Sequence, residues 1–328
     1  MEYFEYLQLE REPFSNSPDP ELFFCSDRQE HCLQQLEIAI RLRRGVSVVL
    51  GEVGTGKTTI FRRLLQNLDD LECHPFLDPD IGSIEDLLAL ILAKLTGEEE
   101  TAVLGTWEYK EKIKKALLIK NLIEDKTVVL LIDEGQKLSR QGIELLRELL
   151  NFETNTCKLL QLVIFAQPEF KRHLDAMYNF TDRINFLYEL TRFNFEECKK
   201  MITSRLGLCS KHGNAKKLFT TEAIKKIHIA SKGRPRQIIT LCHKLLLQLF
   251  VKKQKKVTGR MVDSYLNKKS GISVLTKYVL AFLSFMLLTF WVARQLTIAP
   301  KNNLDPTEQK RATESRWEIK RDSVIKIY

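Results

Sequence analysis

The sequence predicts an α/β fold: a parallel β-sheet covered by helices, then a small all-helical domain, then one apolar helix near the C terminus. Three observations predict it. Short apolar runs alternate with helical stretches as far as residue 188, the pattern of a layered α/β unit. A glycine-rich segment, Gly51–Thr58, stands directly after the first of these runs. Tyr278 to Ala293 reads YVLAFLSFMLLTFWVA, sixteen residues without a charge.

Residues 1–44 form a lead-in and a helix. No charged-then-apolar leader opens the chain. Pro13, Pro18 and Pro20 favour extended backbone. Glu30 to Leu42 reads as an amphipathic helix, with Leu33, Leu36, Ile38, Ile40 and Leu42 among polar residues. Residues 45–188 form the core. Val46–Leu50 is a buried strand, the turn 51–56 follows, and Lys57–Leu68 is a helix. Glu72–Leu77 is a weakly signalled second strand. Ser83-Ile-Glu-Asp86 resembles a capping box, with Asp where Glu or Gln is usual, before a helix over Leu87–Leu95. Glu98–Thr106 is a loop and Tyr109–Ile123 a helix. Thr127–Ile132 carries no charge and suits a central strand covered on both faces. Gln141–Asn151 is a helix, and Leu160–Phe165 a further buried strand that ends at Ala166-Gln167-Pro168.

After residue 188 the strand signal fades. Residues 189–270 read as a helical lid: Phe195–Leu208, Thr221–Ala230 and Pro235–Phe250, the last opened by a proline suited to a first helical position. Residues 271–297 are predicted to span a membrane. A span needs about 20 residues; Lys277 and Arg294 at the ends of the run would snorkel to the headgroups, and Tyr278 and Trp291 lie where interfacial aromatics do. Residues 298–328 are a short polar tail.

The apolar share of 44% and charged share of 28% exclude a collagen-like or wholly disordered chain. The net charge of +9 has a location. Residues 1–250 hold 35 cationic and 36 acidic side chains, whereas residues 251–277 hold eight cations against Asp263 alone. Non-specific nucleic-acid affinity comes from clustered cations, so the near-neutral first part argues against nucleic acid. The basic belt directly before the apolar run fits anionic membrane lipids. Seven scattered cysteines with no CxxC pair point to free thiols in a reducing compartment, and the neighbours Cys73-His74 do not by themselves make a metal site.

The chemistry lies in two segments. Gly51-Glu-Val-Gly54-Thr55-Gly56-Lys57-Thr58 fits the P-loop pattern completely. Glycines let successive N–H groups turn towards phosphate oxygens, and the following helix adds its positive end. Lys57 would reach the β- and γ-phosphates of ATP, Thr58 would place its hydroxyl on Mg²⁺, and Thr59 continues the loop into the helix. Val128–Ile132 ends in Asp133-Glu134: Asp133 would hold Mg²⁺ through water, and Glu134 would activate the attacking water. Three positions carry alternatives. Gln167 either senses the γ-phosphate or is a turn residue. Arg183 is either an arginine finger towards a neighbouring subunit or a surface cation. Arg236 either folds down onto the nucleotide or is a surface cation.

With these residues placed, the chain resembles the AAA+ ATPases of the general secretion pathway protein A (ExeA-like) type. The opening Pro13-Phe14, Ser17–Pro20 and Leu22–Phe24 is similar to that family. So are GEVGTGKTT at 51–59, LLIDEGQKL at 130–138, LLNFET at 149–154, KLLQLVIFAQPEF at 158–170 and GRPRQI at 233–238. The resemblance covers about residues 1–270. It implies sensor 1 at Gln167, sensor 2 at Arg236 and the finger at Arg183. It also implies a homo-oligomeric ring at the bacterial inner membrane, single-pass with the ATPase domain in the cytoplasm, that helps assemble a secretion or pilus envelope complex. Members often carry a peptidoglycan-binding domain after the span, and the 31 residues of the tail do not match one. A DNA-linked helper ATPase, like those of transposition, has a similar core and is the alternative.

Overall fold

Val46–Gly51 is strand β1 because its β-branched residues fill both faces of a covered sheet, and all six are buried. The other strands are β2 (Glu72–Phe76), β3 (Val128–Ile132), β4 (Leu160–Ala166) and β5 (Ile184–Leu190). They form one parallel sheet in the order β2-β3-β4-β1-β5. The computed structural model describes residues 3–15, 22–76, 79, 82–98, 104–155, 157–210, 217–267 and 282–291. The chain divides into a unit of Met1–Tyr265 and a second of Leu266–Tyr328.

Alternate residues of the central strands feed two cores. Val48, Leu130, Ile132 and Ile164 face the larger one. Over it lie α4 (Ile84–Thr96), α5 (Thr106–Leu118) and α6 (Arg140–Leu149), of which α5 ends in a π turn at Ile119–Ile123. Val49, Val129, Leu131, Val163 and Phe165 face the other, under α2 (Asp27–Arg41) and α3 (Lys57–Asn67). The predicted capping box holds: the Ser83 hydroxyl accepts from the Asp86 N–H at 3.0 Å, and the Ser83 N–H donates to the Asp86 carboxylate at 3.2 Å. Helix α2 starts earlier than the apolar spacing suggested, because Ser26 and Gln29 form a second capping box ahead of it. Strand β5 has no counterpart in the sequence reading. It is an edge strand whose residues alternate between half-buried and exposed, so its apolar content is diluted. Two short helices, α7 (Phe170–Asp175) and α8 (Tyr178–Thr181), lead into it.

The lid contains the three expected helices, α9 (Phe195–Leu208), α10 (Thr221–Ser231) and α11 (Pro235–Val251), and a fourth helical stretch over residues 259–267. The N-terminal segment, with its short helix α1 (Tyr3–Tyr6), packs on it. The rings of Tyr6 and Phe250 lie 5.3 Å apart, the Glu10 N–H donates to the Cys209 carbonyl at 2.8 Å, and Phe14 meets Phe219 edge-on at 6.0 Å. The chain therefore begins on the lid and crosses to α2 on the core.

In the second unit, residues 282–291 are helical, and their eight large apolar side chains are each more than half exposed. Among the described residues no helix is long and apolar enough to cross a membrane. Ten helical residues span about 15 Å. Residues 271–281 and 292–297 of the predicted span, and the tail 298–328, lie outside the described residues.

Candidate functional site

The strand order brings the two sequence segments together. Strands β3, β4 and β1 are consecutive neighbours, so Asp133, Gln167 and Gly51 follow three adjacent strand ends at one edge of the sheet. Ligands bind at this edge in open α/β sheets. Gly54 and Gly56 have φ of 82° and 102°, left-handed values that let the loop curl ahead of α3. No side chain caps α3 at Gly56, so its first N–H groups remain for a phosphate. Gln29 braces the loop from α2: its side chain accepts from the Ser26 N–H at 3.1 Å and donates to the Thr55 carbonyl at 3.1 Å.

Lys57 is buried, and its ammonium donates to the carbonyls of Gly51 at 2.6 Å and Glu52 at 3.2 Å. Burial lowers its pKa, against the pull of Glu134, Asp133 and Glu169. The Thr58 hydroxyl donates to the Asp133 carboxylate at 3.0 Å. Burial raises the Asp133 carboxyl above its ordinary value, against hydrogen bonds from the Glu134 N–H and Thr58. A buried carboxylate under that strain, paired with a hydroxyl beside a phosphate cradle, is a fitting partner for a hard divalent cation. Among the described residues no cluster of three His, Cys, Asp or Glu offers another metal site.

Glu134 has φ 55°, unusual for a side chain of its size. The next residue makes that turn possible: a Cβ at Gly135 would stand 2.3 Å from Ile164 Cγ2. Gln136 Nε2 donates to the Glu134 carboxylate, Gln167 Nε2 reaches it at 3.4 Å, and the Gln167 N–H donates to Gln136 Oε1 at 2.9 Å. Gln167 is thus joined to Glu134. From the lid, Arg236 overhangs the loop, its Cβ 3.6 Å from the place of a Cβ on Gly54. Thr58, Thr59, Glu134 and Arg236 line one hollow of about 680 Å³ together with Phe23, Phe24, Met201 and Ile239. The lining is thus polar at the P-loop, Glu134 and Arg236, and apolar at Phe23, Phe24, Met201 and Ile239.

The AAA domain family matches residues 40–174. General secretion pathway protein A of Aeromonas hydrophila is 31% identical over 275 residues, 82% of this chain and 49% of that protein. The chain carries an AAA domain and is related to general secretion pathway protein A. The chain spans about half the length of that relative. Solved structures share the fold. Cdc6p of Pyrobaculum aerophilum is 17% identical with a TM-score of 0.56, covering 75% of this chain and 67% of its own. ORC2 of Aeropyrum pernix, solved with ADPNP and ADP, gives 17% and 0.56, with 77% and 70% covered.

One expected site residue of this AAA-domain protein lies elsewhere. Arg183 precedes β5, at the opposite end of the strands from the P-loop. Seven strand residues at about 3.3 Å each put it roughly 20 Å from the site of its own chain. It lines a second hollow of about 280 Å³ with Arg44, Lys158 and Asn185.

The structure adds residues that the motifs did not single out. Glu52, second in the P-loop, accepts from Arg192 at 2.7 Å and from Arg234 at 2.9 Å. Arg192 lies between β5 and α9, and Arg234 caps α11, so the phosphate loop is tied to the lid hinge through one carboxylate. The hinge is close-packed: the Phe193 N–H donates to the Gly233 carbonyl at 2.8 Å, and a Cβ on Gly233 would stand 2.2 Å from the Phe193 carbonyl oxygen. A charge inside the P-loop pattern, at a position open to any residue, gave no sign of this tie.

The tie has a pH signature. Hydrogen bonds from Arg192, then from Arg234, hold the Glu52 carboxyl below its ordinary value of 4.5. A lowered folded pKa means that the contribution is complete above the unfolded value and is lost as pH falls through the folded one. Protection of the amides of residues 191–194 and 233–234, measured against the intrinsic exchange rate at each pH, should therefore be high at neutral pH and fall below pH 4.5. Glu52→Gln should exchange fast there already at neutral pH. Equal exchange in both proteins would mean that Glu52 does not hold the hinge.

Proposed function

We propose that this chain is a Mg²⁺-dependent ATPase anchored in the bacterial inner membrane by residues 271–297, with its ATPase domain in the cytoplasm. It works as a ring of identical subunits to drive assembly of a secretion or pilus envelope complex. The observation that carries the enzymatic reading is the Thr58–Asp133 hydrogen bond at the mouth of the P-loop, with the Glu134 carboxylate held beside it by Gln136 and Gln167. Mg²⁺, held by Thr58 and by Asp133 through water, supplies charge neutralisation at the phosphates when bound. Lys57 leaves the Gly51 and Glu52 carbonyls for the β- and γ-phosphates. Gly51, Gly54, Thr55, Gly56 and Thr59 shape the N–H cradle. Glu134 takes the proton of the attacking water, and Gln167 aligns that water with the γ-phosphate. Arg236 closes from the lid.

The membrane part of the proposal is supported by residues 282–291. A helix that is apolar on every side belongs in a protein core or in lipid, not in water. The assembly role is supported by the relative's name, a secretion pathway protein.

Arg183 is the finger of the ring. Its distance from its own site suits action on a neighbour's nucleotide. Specific ATPase activity of the detergent-purified chain should then rise with protein concentration, and Arg183→Ala should lower kcat by about 10³-fold. Added to wild type, the variant should poison mixed rings. Constant specific activity on dilution, from a monomer by sedimentation, would sink the ring.

A further inference from the structure

The whole-chain charge conceals a division that the fold exposes. Residues 1–188 carry 22 cations and 32 acidic groups, whereas residues 189–270 carry 20 cations and five acidic groups. The near-neutral first 250 residues thus average an acidic core and a strongly basic lid. All five carboxylates of residues 189–270 are engaged: Glu189, in β5, by Lys171, and on the lid Glu196 by Lys199, Glu197 by Arg28, and both Glu222 and Asp263 by Lys226.

The free cations gather at one end. Helix α11 ends at Val251, and Lys253 leaves it with φ 49°. The turn then returns to pair Val257 with Phe219: the Val257 N–H donates to the Leu218 carbonyl at 2.8 Å, and the Thr220 N–H to the Val257 carbonyl at 3.0 Å. This closure gathers Lys252, Lys253, Lys255, Lys256 and Arg260 beside Lys217. All six are exposed, and among the described residues none of them has an ion-pair partner. The 17 residues of α11 put this tip about 25 Å from Pro235 at the nucleotide hollow.

We infer that the far end of the lid is a docking surface for anionic lipid headgroups. Two further observations choose lipid over nucleic acid. Val251 stands 76% exposed directly against Lys252, an apolar side chain where an interface would take it up. Among the described residues the aromatic rings beside the cations are held by packing: Phe219 is buried against Phe14, and Phe250 meets Tyr6, itself 39% exposed, edge-on at 5.3 Å. The chain also enters its uncharged run at Tyr278, eleven residues after Asn267. The inference deepens the membrane-anchored reading and rests on it for orientation: the lid tip faces the leaflet, and the nucleotide hollow faces away.

The test uses the full chain, reconstituted from detergent into vesicles of phosphatidylcholine alone or of phosphatidylcholine with phosphatidylglycerol. Amine-reactive labelling, read by mass spectrometry, compares the five tip lysines with Lys115 on the core. Each lysine near an anionic surface strengthens association by about fivefold. Labelling of the tip should fall about tenfold on the anionic vesicles, recover at high salt, and leave Lys115 unchanged. Equal tip labelling on both vesicles overturns the docking surface. So does protection by duplex DNA without protection by phosphatidylglycerol. Flotation on phosphatidylcholine vesicles after a carbonate wash reports separately on residues 271–297. A chain that floats but shows no lipid-dependent protection keeps the anchor and loses the docking. A chain that does not float but is protected by phosphatidylglycerol keeps the docking and loses the anchor.

Discussion

Lys57→Ala should raise the Kd for ATP by about 100-fold and leave the fold intact. The ammonium is the one cation inside the phosphate loop, and its two hydrogen bonds are to the loop's own carbonyls. A charge-assisted bond to a phosphate contributes about 1.5–3 kcal/mol, and the lysine would make at least one. Burial opposes the charge on this amine in the empty loop, against the pull of Glu134, Asp133 and Glu169. The apoprotein should consequently melt close to wild type, and only the rise in Tm on adding ATP should disappear. Isothermal titration and thermal melts with and without nucleotide decide it. A Lys57→Ala protein that binds ATP as wild type does would remove the P-loop from the argument.

Glu134→Gln should do the opposite: nucleotide affinity within about threefold of wild type, and kcat lower by about 10²–10⁴-fold. The substitution is nearly isosteric. Both neighbours present amide nitrogens to the Glu134 carboxylate, and the carbonyl oxygen of a glutamine side chain accepts from the same donors. Only proton transfer from water is lost. Single-turnover hydrolysis separates this from a binding defect. Normal turnover would show that another group takes the proton.

These residues were legible because each is a rule of local chemistry. Glycines mark a curled loop, and a charge-free run ending in two carboxylates marks a covered strand with a polar end. Strand order was not legible, and it is what turns two segments 75 positions apart into a 3.0 Å hydrogen bond. Strand β5 escaped because a sheet edge exposes alternate residues and mimics a loop. Arg192, Arg234 and Gln29 escaped for another reason: each acts through a long-range partner, and a polar residue of ordinary type carries no mark of its partner. The charge sum over residues 1–250 left a division unseen for a related reason. A sum over sequence positions cannot separate an acidic core from a basic lid unless the boundary between them is known.

The lid meets the core at the hinge at Phe193 and along the N-terminal segment that packs on the lid and leads to α2, and ion pairs from α2, Arg28 to Glu197 and Asp27 to Lys200, join them beside both. The two attachments touch, since Phe24 and Phe193 stand edge-to-face at 5.9 Å. A body held by one strap can swivel freely, whereas a body held by two turns about the line through both. That line passes the mouth of the nucleotide hollow, where Phe23, Phe24 and Phe193 line the wall. Groups on the axis scarcely move as the lid swings, and groups away from it sweep an arc. Arg236 stands three residues beyond Gly233, which is bonded to Phe193, so a swing that carries the far tip of α11 widely would shift Arg236 little and keep it over the P-loop.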